Sequence, residues 1–188
     1  IIISVFMLVI TSPIMLITGI AIKLYDGGPV FFRQKRCTIG GNVFEIHKFR
    51  SMIVNAEKEG EVIPAKEDDE RITPVGKFIR KTRIDELPQF INVFKGEMSV
   101  VGPRPHMLKH TKDYSAIIDK YMVRHFIKPG LTGWAQVNGY RGETKELWQM
   151  EKRVEYDVWY IENWNFMLDM KIIFLTLIGI FKGDKNAF

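Results

Sequence analysis

The segment TRIDELPQF, residues 82–90, holds the two residues whose types are best suited to chemistry. Asp85 and Glu86 are adjacent carboxylates, and Pro88 follows two positions after the second. Acids in a first turn followed by proline are also typical of a helix N-terminus, where carboxylates stabilise the free backbone N–H groups. The pattern therefore leaves two interpretations open: a helix cap, or an acid pair that reacts with a substrate.

Cations directly upstream favour the chemical interpretation. Residues 73–83 predict a helix that is capped by Thr73 and has Pro74 at its first position. The end of this helix is basic, with Lys77, Arg80, Lys81 and Arg83. A helix cap does not need such neighbours, whereas an anionic substrate does. Arginines of this kind can bind phosphate through two parallel hydrogen bonds.

Adjacent carboxylates beside a phosphorylated substrate can do two kinds of chemistry. Mg²⁺ is usually held by one or two carboxylates together with phosphate oxygens and water. A carboxylate can also attack phosphorus directly and form an acyl phosphate. Neighbouring side chains on a helix diverge by about 100°, so one of Asp85 and Glu86 could face the substrate while the other reaches the metal.

A β-hairpin precedes this region in the chain. The stretches VFFRQKR and NVFEIHKFRSM flank the turn TIGG and carry the strand-forming residues of a hairpin. Its second strand would bring Lys48 and Arg50 towards the same site.

The rest of the chain is predicted to be largely helical. Residues 57–71 are charged and contain proline and glycine, which is typical of a solvated loop. MSVVGPRP predicts an extended segment that ends in a turn, and KPGLTGWAQVNGYRG a glycine-rich loop. Helices are predicted at DELPQFINVFKGE, at 106–126, at 143–163 and at the apolar C-terminal stretch FMLDMKIIFLTLIGIFKGDK. The sequence thus predicts an α+β, mostly helical fold with a small β-hairpin.

Residues 1–22 carry no charge, and a straight helix of that length would measure about 33 Å, enough to cross a bilayer core. Ser12-Pro13 lies in the middle, and an interior proline removes a backbone hydrogen bond and bends the helix. Three interpretations stand: a bent span, a re-entrant hairpin, and a buried core helix. Cations follow from Lys23 onwards, which assigns this side of a membrane to the cytoplasm. The chain starts within the apolar run and without methionine, so we expect it to be a fragment of a longer protein.

Length and composition suit one domain with a hydrophobic core. The chain has 188 residues and a net charge of +5, from 27 basic against 22 acidic residues. The basic excess suits nucleic acid, anionic lipid or phosphorylated substrates. Aromatic residues do not alternate with the basic clusters, which argues against nucleic acid. The single cysteine, Cys37, excludes an intrachain disulfide, and His106 and His110 lack a third ligand for zinc.

Several separate blocks resemble one protein family, in the family's own order along the chain. They are GPVFFRQKR, FEIHKFRSM, RIDELPQFINVFKGEMSVVGPRP, KPGLTGWAQVNG and RVEYDVWY. The chain is identified as a member of the bacterial sugar transferases, the monotopic phosphoglycosyl transferases. GYRGET and the closing GDKNAF are similar to the larger members, the undecaprenyl-phosphate glucose phosphotransferases, which carry an additional N-terminal membrane module.

The resemblance implies a reaction and a place in the cell. Family members transfer a sugar-1-phosphate from a UDP-sugar to undecaprenyl phosphate, release UMP, and so initiate capsule or exopolysaccharide synthesis. Glucose is the favoured hexose, with galactose as the alternative. The enzyme would sit at the bacterial inner membrane, inserted in one leaflet, with its catalytic domain on the cytoplasmic face. It would bind no nucleic acid and is compatible with a homo-oligomer.

The resemblance also assigns residues. Asp85 is expected to be the nucleophile and Glu86 to support Mg²⁺. Ser12-Pro13 would break the re-entrant membrane helix, residues 1–24, and residues 25–188 would form a catalytic domain that ends in an apolar helix at the membrane interface. The expected substrate-binding residues are Arg80, Arg83, Arg104, Lys48, Arg50 and Asp157.

Two alternatives remain open from the residues themselves. Asp157 suits a metal or sugar ligand, but it equally suits a surface acid paired with Arg153 four residues earlier. The basic excess also suits a membrane-tethered module that binds anionic ligands without catalysis.

Overall fold

The computed structural model describes residues 1–54, 56, 69–142, 144 and 146–182. Over these residues the fold is α+β and mostly helical, as the sequence predicts. The helices are α1 (Ile2–Asp26), α2 (Pro74–Lys81), α3 (Gln89–Phe94), α4 (Leu108–Ser115), α5 (Trp134–Val137), α6 (Leu147–Glu162) and α7 (Phe166–Lys182). The strands are β1 (Phe31–Cys37), β2 (Val43–Phe49), β3 (Ser99–Val101) and β4 (Gly130–Thr132).

Helix α1 is long and apolar enough to cross a membrane by length and composition. It continues through Pro13 without a break in secondary structure. Pro13 has no N–H to offer the carbonyl of Val9, and the Ser12 hydroxyl donates to that carbonyl at 2.7 Å instead. The Thr11 hydroxyl donates to the Met7 carbonyl, also at 2.7 Å. Serine and threonine side chains therefore keep the backbone satisfied where proline interrupts it.

The side of α1 that faces the rest of the protein is polar and small. Ser4, Thr11 and Thr18 are buried at intervals of seven residues, together with Ile22. The large apolar side chains of α1 point outwards, and Ile2, Phe6 and the other exposed residues make this surface hydrophobic. The arrangement is the reverse of a soluble helix and is typical of one whose outer face meets lipid.

The predicted β-hairpin is confirmed. Strands β1 and β2 are antiparallel, and Phe31 pairs with Phe49 at one end and Cys37 with Val43 at the other. A second, two-stranded sheet joins β3 and β4 in parallel, with Val101 opposite Thr132. The sequence analysis predicted a loop over the stretch that forms β4 and α5. The strand can form there because Gly130 has no side chain and its backbone approaches that of Gly102 closely. A Cβ on residue 130 would lie 2.2 Å from the Gly102 nitrogen.

The helix predictions are confirmed in most places. Thr73 caps α2 by accepting a hydrogen bond from the Gly76 N–H at 2.9 Å, as expected. The predicted helix over 106–126 is wrong in its middle: α4 ends at Ser115, and a 3₁₀ turn over Tyr121–Phe126 follows. Lys120 has a φ of 58°, which is incompatible with a continuous right-handed helix. Of the predicted loop 57–71, residues 57–68 lie outside the described part of the chain.

Small apolar clusters join the elements. Ile22 of α1 packs with Phe49 of β2 and Ile79 of α2. Phe44 and Ile46 of β2 pack against α3 and Met98. The two other clusters lie around Tyr121, Met150 and Val154, and around Val101, Tyr160 and Ile172. Burial of these side chains holds α1, α2 and β2 together and packs α3 against β2.

Candidate active site

The acid pair lies on a 3₁₀ turn, Ile84–Glu86, between α2 and α3. Neither acid caps a helix, because α3 begins after Pro88 and its N-cap receives no side-chain hydrogen bond. The turn starts at Arg83, which has a φ of 59°. A left-handed conformation costs an arginine on the order of 1 kcal/mol or more, and such strain is concentrated at functional sites. The helix-cap interpretation of Asp85 and Glu86 is therefore wrong.

Glu86 lies among three cations. Its Oε1 accepts hydrogen bonds from Lys48 Nζ at 2.9 Å and Arg104 Nη2 at 3.1 Å. Its Oε2 accepts from Arg141 Nη2 at 2.6 Å. These partners come from β2, from the Pro-Arg-Pro segment after β3, and from the loop before α6. One carboxylate thus gathers three distant segments of the chain around the turn.

Asp85 is half-buried and accepts no hydrogen bond from the residues described. Lys48, Arg80 and Arg104 act on it electrostatically instead. Two acids thus face at least four cations, so the site carries a net positive charge. A cationic, partly desolvated pocket of this kind attracts phosphorylated ligands.

The surroundings drive the pKa values of the two acids apart. Burial raises the pKa of Asp85 to about 6; Lys48 opposes this rise and the Glu86 charge adds to it. Burial alone would also raise the pKa of Glu86, but Lys48, Arg104 and Arg141 hold that pKa well below its usual range. Adjacent groups whose environments separate their pKa values are typically assigned different roles in catalysis. Glu86 is a permanent anion that organises cations, and Asp85 remains the more basic carboxylate.

The structure places four of the predicted substrate-binding residues at the site. Lys48 and Arg104 contact Glu86 directly, and Arg80 is close enough to stabilise the Asp85 charge. Arg83 lies on the turn itself and is half-buried. The hairpin therefore delivers Lys48, as the sequence predicts.

Arg50 does not contact the acid pair, and its predicted role as a substrate-binding residue stays a prediction. Its guanidinium forms a two-pronged ion pair with Asp26 at the end of α1 and donates to the carbonyls of Pro29 and Met52. In a strand, every second side chain points to the same face, which would place Arg50 beside Lys48. Because β2 ends at Phe49, Arg50 lies outside the strand and does not follow this pattern. Arg50 instead fastens α1 to the hairpin.

Asp157 is neither a free ligand nor the partner of Arg153. It is buried, and its Oδ2 accepts from Arg124 Nε at 2.7 Å, with both side chains 2% exposed. The predicted surface pair with Arg153 is therefore wrong, while the predicted role of Asp157 as a metal or sugar ligand stays a prediction. Arg153, four residues earlier, does not pair with Asp157 because its guanidinium donates to the Tyr140 and Gly142 carbonyls instead.

The sequence analysis missed two cations of the site. Arg141 pairs with Glu86 across 55 residues of sequence. Arg36 is partly buried near Arg104 and Glu86, and burial with repulsion from Arg104 lowers its pKa to about 10. No local signal marks Arg141, which stands in a glycine-rich loop. Arg36 could have been found, because it lies on the same hairpin as Lys48.

Close backbone contacts hold the Pro-Arg-Pro segment in place. The Gly102 N–H donates to the Thr132 carbonyl, and the Gly130 N–H donates to the Pro103 carbonyl, each at 2.9 Å. A Cβ at Gly133 would lie 2.2 Å from the Gly102 oxygen. The glycines let these two segments of the chain approach closely enough to fix Arg104 beside Glu86.

The acid pair fits an oxygen-ligated divalent cation. Asp85 has unused acceptor capacity, and Oε2 of Glu86 accepts a hydrogen bond from Arg141 alone among the described residues. In that same part of the chain no three His, Cys, Asp or Glu residues cluster as a metal cage. Mg²⁺ needs no such cage when substrate phosphates supply the other ligands. The donor set therefore suits a metal that arrives with a phosphorylated substrate.

The fold places a carboxylate pair among several cations, beside a long and outwardly apolar helix. Among known families, the bacterial sugar transferase model matches residues 1–183. The chain belongs to the bacterial sugar transferase family.

Individual relatives are similar over nearly the whole chain. A UDP-glucose:undecaprenyl-phosphate glucose-1-phosphate transferase of Klebsiella pneumoniae is 52% identical over 100% of this chain and 40% of its own length. The Escherichia coli (strain K12) protein of the same name is 50% identical over 99% of this chain and 39% of its own. A UDP-N-acetylgalactosamine-undecaprenyl-phosphate N-acetylgalactosaminephosphotransferase of Aeromonas hydrophila is 46% identical over 92% and 40%. The chain thus spans about two-fifths of the length of these curated relatives.

Proposed function

We propose that this chain is the catalytic part of a phosphoglycosyl transferase. It moves a hexose-1-phosphate from a UDP-sugar to undecaprenyl phosphate, releases UMP, and initiates capsule or exopolysaccharide synthesis. The observation that carries the proposal is the half-buried Asp85, which keeps a raised pKa beside a Glu86 locked among three cations. The names of the Klebsiella and Escherichia relatives support it.

In the first step Asp85 acts as the nucleophile. An oxygen of its carboxylate bonds to the β-phosphorus of the UDP-sugar. The bond from that phosphorus to the bridging oxygen breaks, and UMP leaves with this oxygen. The phosphosugar then remains on Asp85 as an acyl phosphate. Nucleophilicity falls as pKa falls, as thiols show, which favours Asp85 over Glu86 for this role.

In the second step the lipid takes the phosphosugar. An oxygen of undecaprenyl phosphate bonds to the same phosphorus, and the bond from phosphorus to Asp85 breaks. The products are the free Asp85 carboxylate and a lipid-linked sugar diphosphate. The enzyme therefore returns to its starting state without a further co-reactant.

The cations lower the electrostatic cost of both steps. Catalysis of phosphoryl transfer depends chiefly on positioning and on stabilising negative charge. Arg80 and Arg83 lie beside the turn, and Lys48 and Arg104 lie on the Glu86 side. These four residues would contact the phosphates, with Arg104 and the other arginines suited to two-pronged contacts.

Asp85 and Glu86 would hold Mg²⁺ together with the substrate phosphates. When bound, the metal supplies charge neutralisation for the approach of an anionic nucleophile to an anionic diphosphate. No cation on this chain is required to leave Glu86 for this arrangement.

Glucose is the sugar that the comparisons favour. Two of the relatives above carry glucose in their names, and the third carries N-acetylgalactosamine. Galactose remains the alternative hexose. The sugar is read by hydroxyl contacts, whereas the cations and carboxylates that set the reaction type are indifferent to it.

The same proposal places the enzyme at the cytoplasmic face of the bacterial inner membrane, with residues 1–24 as a re-entrant helix in one leaflet. Support comes from the outward apolar face of α1 and from the hydroxyls that satisfy the backbone at Pro13. Backbone inside lipid must be satisfied internally. Helix α1 also packs against α2 and α3, so it remains beside the catalytic domain, residues 25–188. The exposed side of α7, which includes Phe166, Met170 and Phe174, suits the membrane interface.

The test is UMP release by the protein in nanodiscs. UDP-glucose, UDP-galactose and UDP-N-acetylgalactosamine would be compared, each with and without undecaprenyl phosphate. We expect lipid-dependent turnover that is fastest with UDP-glucose. Turnover with another UDP-sugar alone would keep the reaction and correct the sugar. Binding of anionic lipid without UMP release from any of them would favour the non-catalytic module instead.

A further inference from the structure

Two buried arginines, Arg124 and Arg153, lie behind the active site. They are 3% and 6% exposed. Arg124 donates to Asp157, to His106 and to one backbone carbonyl, and Arg153 donates to two backbone carbonyls. Buried arginines are rare unless paired. Two in one place, each donating to the backbone of a segment that carries a partner of Glu86, call for an explanation that the reaction itself does not supply.

Arg124 binds the segment that carries Arg104. Its Nη2 donates to the Arg104 carbonyl at 2.8 Å, and its Nε donates to Asp157 at 2.7 Å. Asp157 lies on α6 and balances the charge of the guanidinium. The main chain of Arg104 is therefore tied to a helix of the core, while its side chain reaches Glu86.

Arg153 binds the segment that carries Arg141. Its Nε donates to the Tyr140 carbonyl at 2.8 Å, and its Nη2 donates to the Gly142 carbonyl at 2.5 Å. These carbonyls stand on either side of Arg141. One guanidinium on α6 thus fixes the loop at both neighbours of the residue that contacts Oε2 of Glu86.

His106 lies between the two arginines. Arg124 Nη1 lies 2.7 Å from its Nδ1, and Arg153 Nη1 lies 3.5 Å from its Nε2. A guanidinium can only donate, so Nδ1 accepts from Arg124 and the neutral ring carries its proton on Nε2. The contact between Nε2 and Arg153 therefore joins two donors and is not a hydrogen bond. The Tyr121 hydroxyl also lies 2.7 Å from Nδ1. Arg36 and His110 are further groups near the ring. Histidine can separate two arginines in a buried place without adding charge.

We propose that Arg124 and Arg153, which lie on either side of His106, are positioning residues that set the two loops delivering Arg104 and Arg141 to Glu86. This inference rests on the proposed function for its consequence, because Arg104 would contact the substrate phosphates and Arg141 holds Glu86. Arg124 and Arg153 bind the backbone of these two segments. Neither loop is held by regular secondary structure at Arg104 or Arg141. An error of about 1 Å in such groups costs catalysis up to 10²-fold.

Double-mutant cycles on kcat/KM test the inference. We expect Arg153→Lys to lower kcat/KM tenfold or more, because lysine cannot bind both carbonyls. If Arg153 acts through Arg141, adding Arg153→Lys to Arg141→Ala lowers the rate no further. Arg124→Lys with Arg104→Ala should behave in the same way. Lysine keeps a positive charge beside Asp157, so the variants should fold.

Arg50→Lys is the matched control. Arg50 is also buried and also binds carbonyls, at Pro29 and Met52, but it holds neither Arg104 nor Arg141. In the double variant, the fold-losses in kcat/KM caused by Arg50→Lys and by Arg141→Ala should multiply. If Arg153→Lys also multiplies with Arg141→Ala, its role is merely structural and the proposal is overturned.

Amide hydrogen exchange provides a readout that needs no activity. Arg153→Lys should speed exchange at residues 140–142, and Arg50→Lys should leave that segment unchanged. Unchanged exchange at 140–142 in Arg153→Lys would overturn the proposal. If wild-type protein releases no UMP from any UDP-sugar, the proposed function fails, while the exchange result still decides whether Arg153 sets the loop.

Discussion

At the scale of single residues, Asp85 and Glu86 share a turn but not an environment. Glu86 accepts hydrogen bonds from Lys48, Arg104 and Arg141. Asp85 points into the same cationic region without a hydrogen-bond donor from the described residues. A carboxylate held by three cations is a poor nucleophile, and one left basic and accessible is a better one. The proposed function therefore gives the neighbouring acids different roles: Glu86 organises the cations and Asp85 reacts with the substrate.

The raised pKa of Asp85 predicts a particular pH dependence. The nucleophile must be ionised, and burial raises its pKa to about 6. We therefore expect the rate of the first half-reaction, measured as UMP formation without lipid, to fall about tenfold per pH unit below pH 6. An ordinary aspartate would hold its rate to about pH 4. A rate that stays constant down to pH 4.5, with the protein still folded by thermal unfolding, would contradict this assignment.

Residues whose partners are local could be predicted from the sequence, and residues with distant partners could not. The acid pair and the arginines of α2 lie within a few positions of one another, so the motif alone revealed them. Arg141 lies 55 residues from Glu86, and Arg124 lies 33 from Asp157. Side-chain pairing over such distances depends on how α6 packs, which no short pattern encodes. The pairing of Arg50 with Asp26 was missed because that carboxylate lies on another element.

At the scale of elements, α1 depends on a hydroxyl. Ser12→Ala would leave the Val9 carbonyl without a donor in apolar surroundings, at a cost of about 1–3 kcal/mol. We expect a lower unfolding temperature in nanodiscs. Pro13→Ala restores the backbone N–H, so adding it to Ser12→Ala should recover most of the loss. If Ser12→Ala is equally destabilising with and without Pro13, the hydroxyl does not substitute for the missing N–H.

The junction between β3 and β4 depends on glycine. In Gly133→Ala the new Cβ would meet the Gly102 oxygen at 2.2 Å, so the segment carrying Arg104 must shift. We expect a fall of several degrees in unfolding temperature and a lower kcat/KM. The matched control is Gly179→Ala in α7, where a Cβ would meet nothing within 4 Å and alanine favours the helix. Equal effects of the two substitutions would show that close approach at Gly133 is not what matters.

Elements with strong local signals were predicted well. Thr73-Pro74 starts α2 and the TIGG turn closes the hairpin, because each needs only neighbouring residues to form. The parallel pairing of β3 with β4 was missed. Each strand has three residues, and the pair is created by contacts between Gly102, Gly130 and Gly133 that lie far apart in sequence.

At the scale of the whole molecule, the acid pair is connected to the long apolar helix α1. Arg50 directly follows β2 and pairs with Asp26 at the end of α1. Lys48, on the same strand β2, donates to Glu86. Ile22 of α1 packs with Phe49 and Ile79 in the same cluster. The depth of α1 in a bilayer would therefore fix the height of the acid pair above it, which suits an acceptor phosphate that lies at the membrane surface.

The re-entrant topology predicts that both ends of α1 lie on the cytoplasmic side. Cys37 is the only cysteine of this chain and is buried, so Cys37→Ala provides a clean background. Ile2→Cys and Tyr25→Cys should both react with a membrane-impermeant thiol reagent in inside-out vesicles and stay protected in intact spheroplasts. Labelling of Ile2→Cys from the opposite side to Tyr25→Cys would mean that α1 spans the bilayer.

The central claim is that Asp85 carries the phosphosugar, and trapping the intermediate tests it most directly. Protein in nanodiscs would be incubated with UDP-glucose and Mg²⁺ but without undecaprenyl phosphate, digested at low pH, and sequenced by tandem mass spectrometry. The account predicts a hexosyl phosphate on Asp85, which disappears when lipid is added and never forms in Asp85→Asn. An adduct on Glu86, or full UMP release by Asp85→Asn, would contradict it.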